Sequence, residues 1–182
     1  MKSDRAPLFL PYRYRTNIGA TRTIGIESII ETDIFKVLGV NTQHGLRIYL
    51  NSSFIQGEYI RSSLPGIQGN TVEYIPAMTL RSGLELIMNE MSCGFHISHV
   101  SKQFSDASNA IRSSNPIVGE IPAYTVADFS FAYRINAMFS VEAHVNNLFD
   151  ARYFTRRAES YPGPGIIPAE PRMMTLGIIM NL

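Results

Sequence analysis

Three side chains of the kinds that bind transition metals lie close together in the sequence: Cys93, His96 and His99. Thiolate and imidazole groups are common protein ligands of zinc. The surrounding residues are predicted to form a β-strand, in which successive side chains point to opposite faces. Cys93 and His99 then share one face and His96 lies on the other, so the three cannot reach a common ion. We predict that this segment holds no metal.

A second group with binding chemistry lies in a segment rich in proline and glycine and consists of Arg156, Arg157 and Tyr161. Guanidinium groups bind carboxylates through paired hydrogen bonds. We therefore predict that these side chains contact an anionic ligand. The alternative is that they contact lipopolysaccharide, neighbouring loops or nothing. Residues 105–115 form a further segment of this kind, with Asp106, Asn109 and Arg112.

The composition limits the classes of protein to which the chain can belong. Of its 182 residues, 45% are hydrophobic and only 17% are charged, and the formal net charge is +1. This low charged content fits a surface that is partly not in water, and it argues against a partner nucleic acid. No run approaches the ~18 apolar residues of a spanning helix, so a membrane crossing would have to use strands. No nucleophile, acid and base converge, which argues against an enzyme, and nothing indicates a cofactor.

Strict alternation of apolar and polar residues is the main structural signal. In residues 139–146, Phe139, Val141, Ala143 and Val145 alternate with Ser140, Glu142, His144 and Asn146. The end of the chain repeats the pattern with Met174, Leu176, Ile178, Met180 and Leu182, and with Ile179 as an exception. A period of two residues is the signature of a strand with two different faces.

Seven strands are predicted in this way. They cover residues 17–32, 46–54, 77–89, 93–104, 124–135, 138–146 with an extension to 155, and 174–182. The connections alternate between short turns, at 41–45, 89–92 and 136–137, and long polar loops, at 62–70, 105–122 and 156–171. Outer-membrane barrels show this alternation, with short periplasmic turns and longer outside loops.

The charged residues of these strands fall on the face opposite the apolar one; they are Arg47, Arg81, Glu85, Asp128, Arg134 and Glu142. Placing an arginine against lipid at the membrane midplane costs about 2–4 kcal/mol. The charged face is therefore predicted to line a lumen. The aromatic residues Phe129, Phe131, Tyr133, Phe139 and Phe154 are predicted to face lipid or form an aromatic girdle.

Particular motifs resemble those of a known family. The segment Val145–Asp150, with the sequence VNNLFD, is followed by Tyr153 and by the pair Pro171-Arg172. Residues 15–30, RTNIGATRTIGIESII, add an upstream motif. Together they resemble the C-terminal barrel segment of a TonB-dependent outer-membrane receptor of the ferric-citrate-like or siderophore branch. The loop YPGPGIIP resembles Bacteroidetes-type receptors of that branch.

The resemblance implies an all-β fold: an antiparallel transmembrane β-barrel segment, about seven strands of a 22-stranded plugged barrel. Residues 1–182 would form its C-terminal part, without plug domain or signal peptide. The implied function is uptake of iron chelates such as ferric citrate or siderophores across the outer membrane of a Gram-negative bacterium. The implied partners are the rest of the barrel and the plug, the TonB energy-transducing complex, a ferric chelate and outer-membrane lipid.

The motif residues themselves are expected to be structural. Asn146, Asn147, Asp150 and Tyr153 follow a strand, where Asn and Asp side chains bond back to nearby backbone. Leu182 departs from the family, which usually ends on an aromatic residue. Two other functions remain open: a passive outer-membrane pore or small structural barrel, and a soluble β-sandwich binding module.

Overall fold

The computed structural model describes residues 17–40, 43–158 and 164–181. Antiparallel β-structure dominates these residues, and one short helix, α1 (Ile34–Val37), follows the first strand. Within the described ranges, no helix has the length and apolar character needed to cross a membrane.

Eleven strands are present in the described residues. In chain order they are β1 (Gly19–Asp33), β2 (Gly45–Ser62), β3 (Met78–Met88), β4 (Met91–Val100), β5 (Gln103–Phe104), β6 (Glu120–Ile121), β7 (Tyr124–Arg134), β8 (Phe139–Asn146), β9 (Phe154–Ala158), β10 (Gly165–Pro168) and β11 (Met173–Met180). Seven of them form one sheet in the order β1-β2-β3-β4-β7-β8-β11, and β5-β6 and β9-β10 form two small hairpins. The seven predicted strands are the seven strands of this sheet.

The strand register places apolar side chains of different strands side by side. Ile48, Leu84, Phe95, Phe129 and Val145 form one row across five neighbouring strands. Rows two residues away carry side chains of the same kind, since alternate residues of a strand share a face. We call this side of the sheet the apolar face.

The opposite side, the polar face, carries the charged residues of the strands. Pairing of Arg47 with Glu85 and of Asn51 with Arg81 fixes this face on β2 and β3. The same register places the six predicted lumen residues together on it: Arg47, Arg81, Glu85, Asp128, Arg134 and Glu142. The predicted separation of apolar and charged side chains is confirmed.

Nothing in the described chain covers the apolar face, because the sheet is a single layer. Side chains near its two edges are 74% exposed at Ile26 and 75% exposed at Leu176. The hydrophobic residues that are buried lie mainly at one end of the sheet, at Tyr59, Ile67, Ala107 and Ile121. A continuous apolar surface of this size is unfavourable in water and favourable in lipid.

Three serine hydroxyls on the apolar face form hydrogen bonds within the sheet. The hydroxyl oxygens of Ser28 and Ser52 are 2.7 Å apart across the β1–β2 pair. The hydroxyl of Ser82 donates to the backbone oxygen of Tyr49 at 3.0 Å. An unpaired hydroxyl would be costly in lipid, and these contacts remove that cost.

The short connections lie at one end of the sheet and the long ones at the other, as predicted. Two of the short connections are tight. Asn89 and Glu90 join β3 to β4, with Asn89 at a φ of 48°, and residues 135–138 join β7 to β8. The β1–β2 connection is longer than the predicted turn at 41–45, because Asp33 caps α1. Its carboxylate accepts the backbone N–H groups of Phe35 and Lys36.

Three predicted boundaries were wrong. β2 continues to Ser62, because its last part pairs with β1 beyond the end of β3. β4 ends at Val100, and the next residues form the separate strand β5. The sixth strand ends at Asn146 rather than near 155, because Asn147 has a φ of 51° that breaks the extended chain. The loops at 105–122 and 156–171 also contain the hairpin strands β6, β9 and β10.

Arginine substitutions on the two faces of β4 test this orientation. Ile97 lies on the apolar face between Ser82 and Ala127, and the neighbouring Ser98 lies on the polar face. We expect Ile97→Arg to lower the free energy of unfolding in lipid vesicles by about 2–4 kcal/mol, because lipid solvates the guanidinium poorly. Urea unfolding followed by circular dichroism measures this. Ser98→Arg is the matched control, and equal losses for both variants would contradict the orientation.

Candidate functional site

The long connections pack on one another at one end of the sheet. Tyr59, on the part of β2 that extends past β3, forms a small core with Ile67 and Ala107 from the next two long connections. Ile18, Leu64 and Val72 pack against it. Because burial of apolar side chains is the main stabilising force in water, these connections form a compact unit above the sheet.

Asparagine side chains join the two connections through backbone groups. Asn109 accepts the backbone N–H of Thr71 at 2.7 Å and donates to the backbone oxygen of Thr71 at 2.8 Å. Asn70 donates to the backbone oxygen of Ala107 at 2.9 Å. The side-chain amide of Asn109 thus both accepts and donates, as the backbone of a neighbouring strand would. The connection at 101–123 is thereby fixed to the one at 63–77.

Tyr59 adds a hydrogen bond to this unit. Its hydroxyl donates to a carboxylate oxygen of Glu73 at 2.7 Å. Burial, with a smaller contribution from Glu73, raises the pKa of Tyr59 to about 12. A phenol with a raised pKa stays neutral, and its contribution to stability persists until the pH rises through about 10 to 12. The contact is therefore intact at physiological pH.

Arg157, one of the predicted ligand contacts, is used to hold the connection at 101–123. Its guanidinium donates to the backbone oxygens of Pro116 at 2.9 Å and Glu120 at 3.2 Å, and lies over the ring of Phe154 at 5.4 Å. A Cβ atom at Gly119 would lie 3.0 Å from the guanidinium, and the φ of 148° at this position favours glycine. Phe154, predicted on the lipid side, lies instead in this cluster.

The other predicted ligand contacts are placed differently. Arg156 is exposed on β9, and Tyr161 lies outside the described residues. In the segment 105–115, Asp106 accepts the hydroxyl of Ser108, Asn109 is engaged as described above, and Arg112 is exposed. Arg156 and Arg112 are exposed and form no ion pair within the described residues, whereas Arg157 and Asn109 are held by the contacts above.

The VNNLFD motif forms the bend at which β8 ends. The backbone N–H of Asn147 donates to the carboxylate of Asp128 at 2.8 Å. Its side chain accepts the N–H of Ala151 at 2.8 Å and donates to the backbone oxygens of Ala151 and Glu170. Asn147 is only 4% exposed. The prediction that this asparagine bonds back to the nearby backbone is confirmed.

The remaining motif residues connect this bend to β11. The carboxylate of Asp150 accepts the backbone N–H of Arg172 at 3.0 Å and so joins the bend to the residue before β11. The ring of Tyr153 stacks on that of Tyr124 with centroids 4.4 Å apart. Asn146 is exposed at the end of β8 and pairs with Met173.

Two of the three arginines on the polar face have carboxylate partners. Arg47 lies 3.4 Å from Glu85, and Arg134 lies 3.9 Å from Glu90. Arg81 makes no ion pair within the described part of the chain. It lines a depression with Glu27, Asn51, Ser53 and Thr79.

The predicted metal-type residues do not converge. Cys93 and His99 lie on the apolar face, and His96 lies on the polar face. There His96 hydrogen-bonds the hydroxyl of Tyr49 at 3.1 Å, and the two rings occupy the space that a side chain at Gly83 would need. No group of three or more possible metal ligands occurs in the residues that the structure describes.

Sequence reasoning did not predict several of the contacts that organise this end of the molecule. Asn109 and the Tyr124–Tyr153 stack join segments that are far apart in the chain, and no local sequence pattern predicts such contacts. A signal did exist for Gly119, because glycine before a short strand often marks a close backbone approach.

The sheet has the features of one class of protein. A single antiparallel layer with one apolar and one charged face, and with short connections at one end and long ones at the other, is the wall of a transmembrane β-barrel. The chain belongs to the family described as TonB dependent receptor-like, beta-barrel, whose model matches residues 3–148. The predicted fold class and family are confirmed, while the Bacteroidetes-type branch stays a prediction.

Individual relatives agree with this assignment. The metal-pseudopaline receptor CntO of Pseudomonas aeruginosa is 39% identical over 62 residues, which are 34% of this chain and 8% of CntO. The structure of the ferric citrate transporter FecA superposes with a TM-score of 0.74 at 22% identity, over 87% of this chain and 24% of FecA. The siderophore receptor PiuA of Acinetobacter baumannii gives a TM-score of 0.69 at 19% identity, over 88% and 22%. The chain therefore spans about a quarter of the length of these solved structures.

Replacing Asn147 tests the role of the motif. We expect Asn147→Ala to lower the free energy of unfolding by about 3 kcal/mol or more, because buried partners lose their hydrogen bonds and alanine is strained at positive φ. Asn146→Ala, an exposed neighbour, is expected to change it by less than about 0.5 kcal/mol. Asn147→Gly keeps the backbone geometry and isolates the hydrogen-bond contribution. Urea unfolding measures all three, and equal effects at positions 146 and 147 would count against this role.

Replacing Arg157 tests how the long connections are held. Hydrogen bonds from a charged donor are worth about 1.5–3 kcal/mol, so Arg157→Ala is expected to speed amide hydrogen exchange in residues 105–121 by about tenfold or more. Arg156→Ala is the matched control and is expected to leave this exchange unchanged. Unchanged exchange in Arg157→Ala would show that other contacts hold the connection.

Proposed function

We propose that this chain supplies seven consecutive strands of the C-terminal part of a TonB-dependent outer-membrane receptor that imports metal chelates, iron chelates above all. The observation that carries the proposal is the division of the sheet into an apolar face and a charged face in a chain of this receptor family. The apolar face contacts outer-membrane lipid, and the polar face lines the lumen.

The named functions of the similar proteins support this class of substrate. CntO is a receptor for metal-pseudopaline, FecA transports ferric citrate and PiuA is a siderophore receptor. All three handle a metal bound to an organic chelator. We propose a chelated metal ion, with ferric citrate or a ferric siderophore as the first substrates to test.

The proposed partners follow from the same assignment. In the described sheet, β1 and β11 are edge strands that do not pair with each other. Open edges leave backbone groups without partners, which lipid does not tolerate. We propose that further barrel strands pair with these edges, that a plug domain fills the lumen, and that the TonB complex supplies the energy. The location is the outer membrane of a Gram-negative bacterium.

The long connections form the proposed outer rim, which is the first part of the receptor that a chelate contacts. Arg156 is exposed there and is the proposed direct contact for an anionic chelate, together with Tyr161. Arg157 supports the rim through the carbonyl groups that it binds, so we propose it as a positioning residue for the same ligand.

Uptake of radioactive iron tests this function. The receptor that contains this chain is expressed in the outer membrane of a strain that lacks its own iron receptors, and ⁵⁵Fe is supplied as ferric citrate or as a panel of ferric siderophores. We expect accumulation that stops when the TonB gene is deleted or the proton gradient is collapsed. A passive pore would continue to admit the chelate under both conditions, and no accumulation of any chelate would refute the proposal.

Arg156 is tested by chelate binding to the purified receptor. We expect Arg156→Ala to raise the dissociation constant by about three- to tenfold, because a charge-assisted contact at an exposed site is lost. Arg152→Ala is the control, since Arg152 is exposed just before β9. Equal affinities for wild type and Arg156→Ala would remove Arg156 from the ligand site.

A further inference from the structure

We infer that the polar face contains a subsite for a carboxylate group of the imported chelate, with Arg81 as its anchor. This inference rests on the proposed function and adds the chemical class of the ligand. The subsite is the depression lined by Glu27, Asn51, Ser53, Thr79 and Arg81. It lies on the sheet itself, apart from the long connections that carry Arg156 and Arg157.

The position of Arg81 along the strands places the subsite near the outer end of the lumen. Thr79 pairs with Val100 and Arg81 with Ser98, close to the end of β4 from which the long connection at 101–123 leaves. Arg81 is the second residue of β3 on the polar face, counted from that end. A ligand that enters between the long connections therefore reaches Arg81 close to the entry end of the polar face.

Among the described residues, Arg81 is the arginine of the polar face that has no carboxylate partner. Arg47 and Arg134 have their carboxylate partners, Glu85 and Glu90, towards the short connections. The direct neighbours of Arg81 on the adjacent strands are Asn51 and Ser98, which are neutral. No ion pair of Arg81 occurs in the described residues. A guanidinium without a carboxylate partner, next to neutral hydrogen-bonding groups, is complementary to a bound carboxylate.

The nearest acid of the depression does not neutralise Arg81. Glu27 lies on β1, two strands from β3, which is about 10 Å at the usual strand spacing. Its carboxylate accepts the hydroxyl of Ser53 at 3.2 Å. The depression therefore has a cation on one side, a carboxylate on the other, and Asn51, Ser53 and Thr79 between them or beside them. A chelate with a carboxylate at Arg81 and a hydroxyl or amino group towards Glu27 satisfies both.

The size of the depression fits a small molecule. Its volume is about 570 Å³, and binding sites for small ligands usually measure ~300–1,000 Å³. The floor is the sheet, whose strands hold the side chains in fixed positions, and the open side faces the lumen. A rigid floor with a few directed polar groups is the arrangement that gives a small ligand its orientation.

Equilibrium binding to the intact, plug-containing receptor tests the subsite. The probes are ferric citrate, which binds iron through carboxylates, and ferrioxamine B, a ferric hydroxamate without a carboxylate. We expect wild type to bind ferric citrate, Arg81→Gln to raise its dissociation constant about tenfold or more, and Arg81→Lys to recover part of the loss. Arg134→Gln, on the same face with its partner Glu90, is expected to leave the affinity unchanged.

The other outcomes separate this inference from its alternatives. Unchanged ferric citrate affinity in Arg81→Gln, or binding of ferrioxamine B alone, overturns the carboxylate subsite while the proposed function stands. An exposed, protease-sensitive plug in Arg81→Gln but not in Arg134→Gln would identify the plug as the partner of Arg81 and likewise overturn it. Binding of no ferric chelate by wild type would refute the proposed function as well.

Discussion

The pairing of backbone groups between strands is the constraint on which the rest of the structure depends. Lipid offers no partner for an N–H or C=O group, so each strand has to be paired along the length that crosses the membrane. Antiparallel pairing from β1 to β11 does this, and it also fixes the register. Because side chains alternate along each strand, the register gathers the apolar side chains on one face and the charged ones on the other. The hydroxyls of Ser28, Ser52 and Ser82, which fall on the apolar face, are therefore paired within the sheet.

Beyond the sheet, the chain replaces strand pairing with side-chain amides. Asn109 and Asn147 have φ values of 53° and 51°, and each uses its side chain to bond backbone groups that no strand reaches. Asn109 joins two long connections, and Asn147 turns the chain at the end of β8. With the small core around Tyr59, these contacts give the outer end a defined shape without a second layer of secondary structure.

The pairing of charges on the polar face differs between the end with the short connections and the end with the long ones. Towards the short connections the arginines of the polar face are neutralised by glutamates of the sheet, at Arg47 and Arg134. Towards the long connections Arg81 stands among neutral groups. If the polar face lines the lumen as proposed, this arrangement favours binding of an anion near the outer end. This gradient agrees with the import of a chelate from the outside, the function proposed for the whole receptor.

The sequence by itself determined the seven strands, their two faces and the alternation of short and long connections, because a period of two residues is a local property of each strand. It also indicated that Asn147 is structural, since an asparagine after a strand bonds to backbone close by. Only the tertiary structure decided that Arg157 binds the carbonyl groups of Pro116 and Glu120 while Arg156 stays exposed, since adjacent arginines look alike in sequence. It likewise decided which arginine of the polar face forms no ion pair within the described residues. The physical reason is that ion pairs and loop contacts depend on which segments the folded chain brings together. The alternating pattern of the sequence is local to each strand and does not predict those contacts.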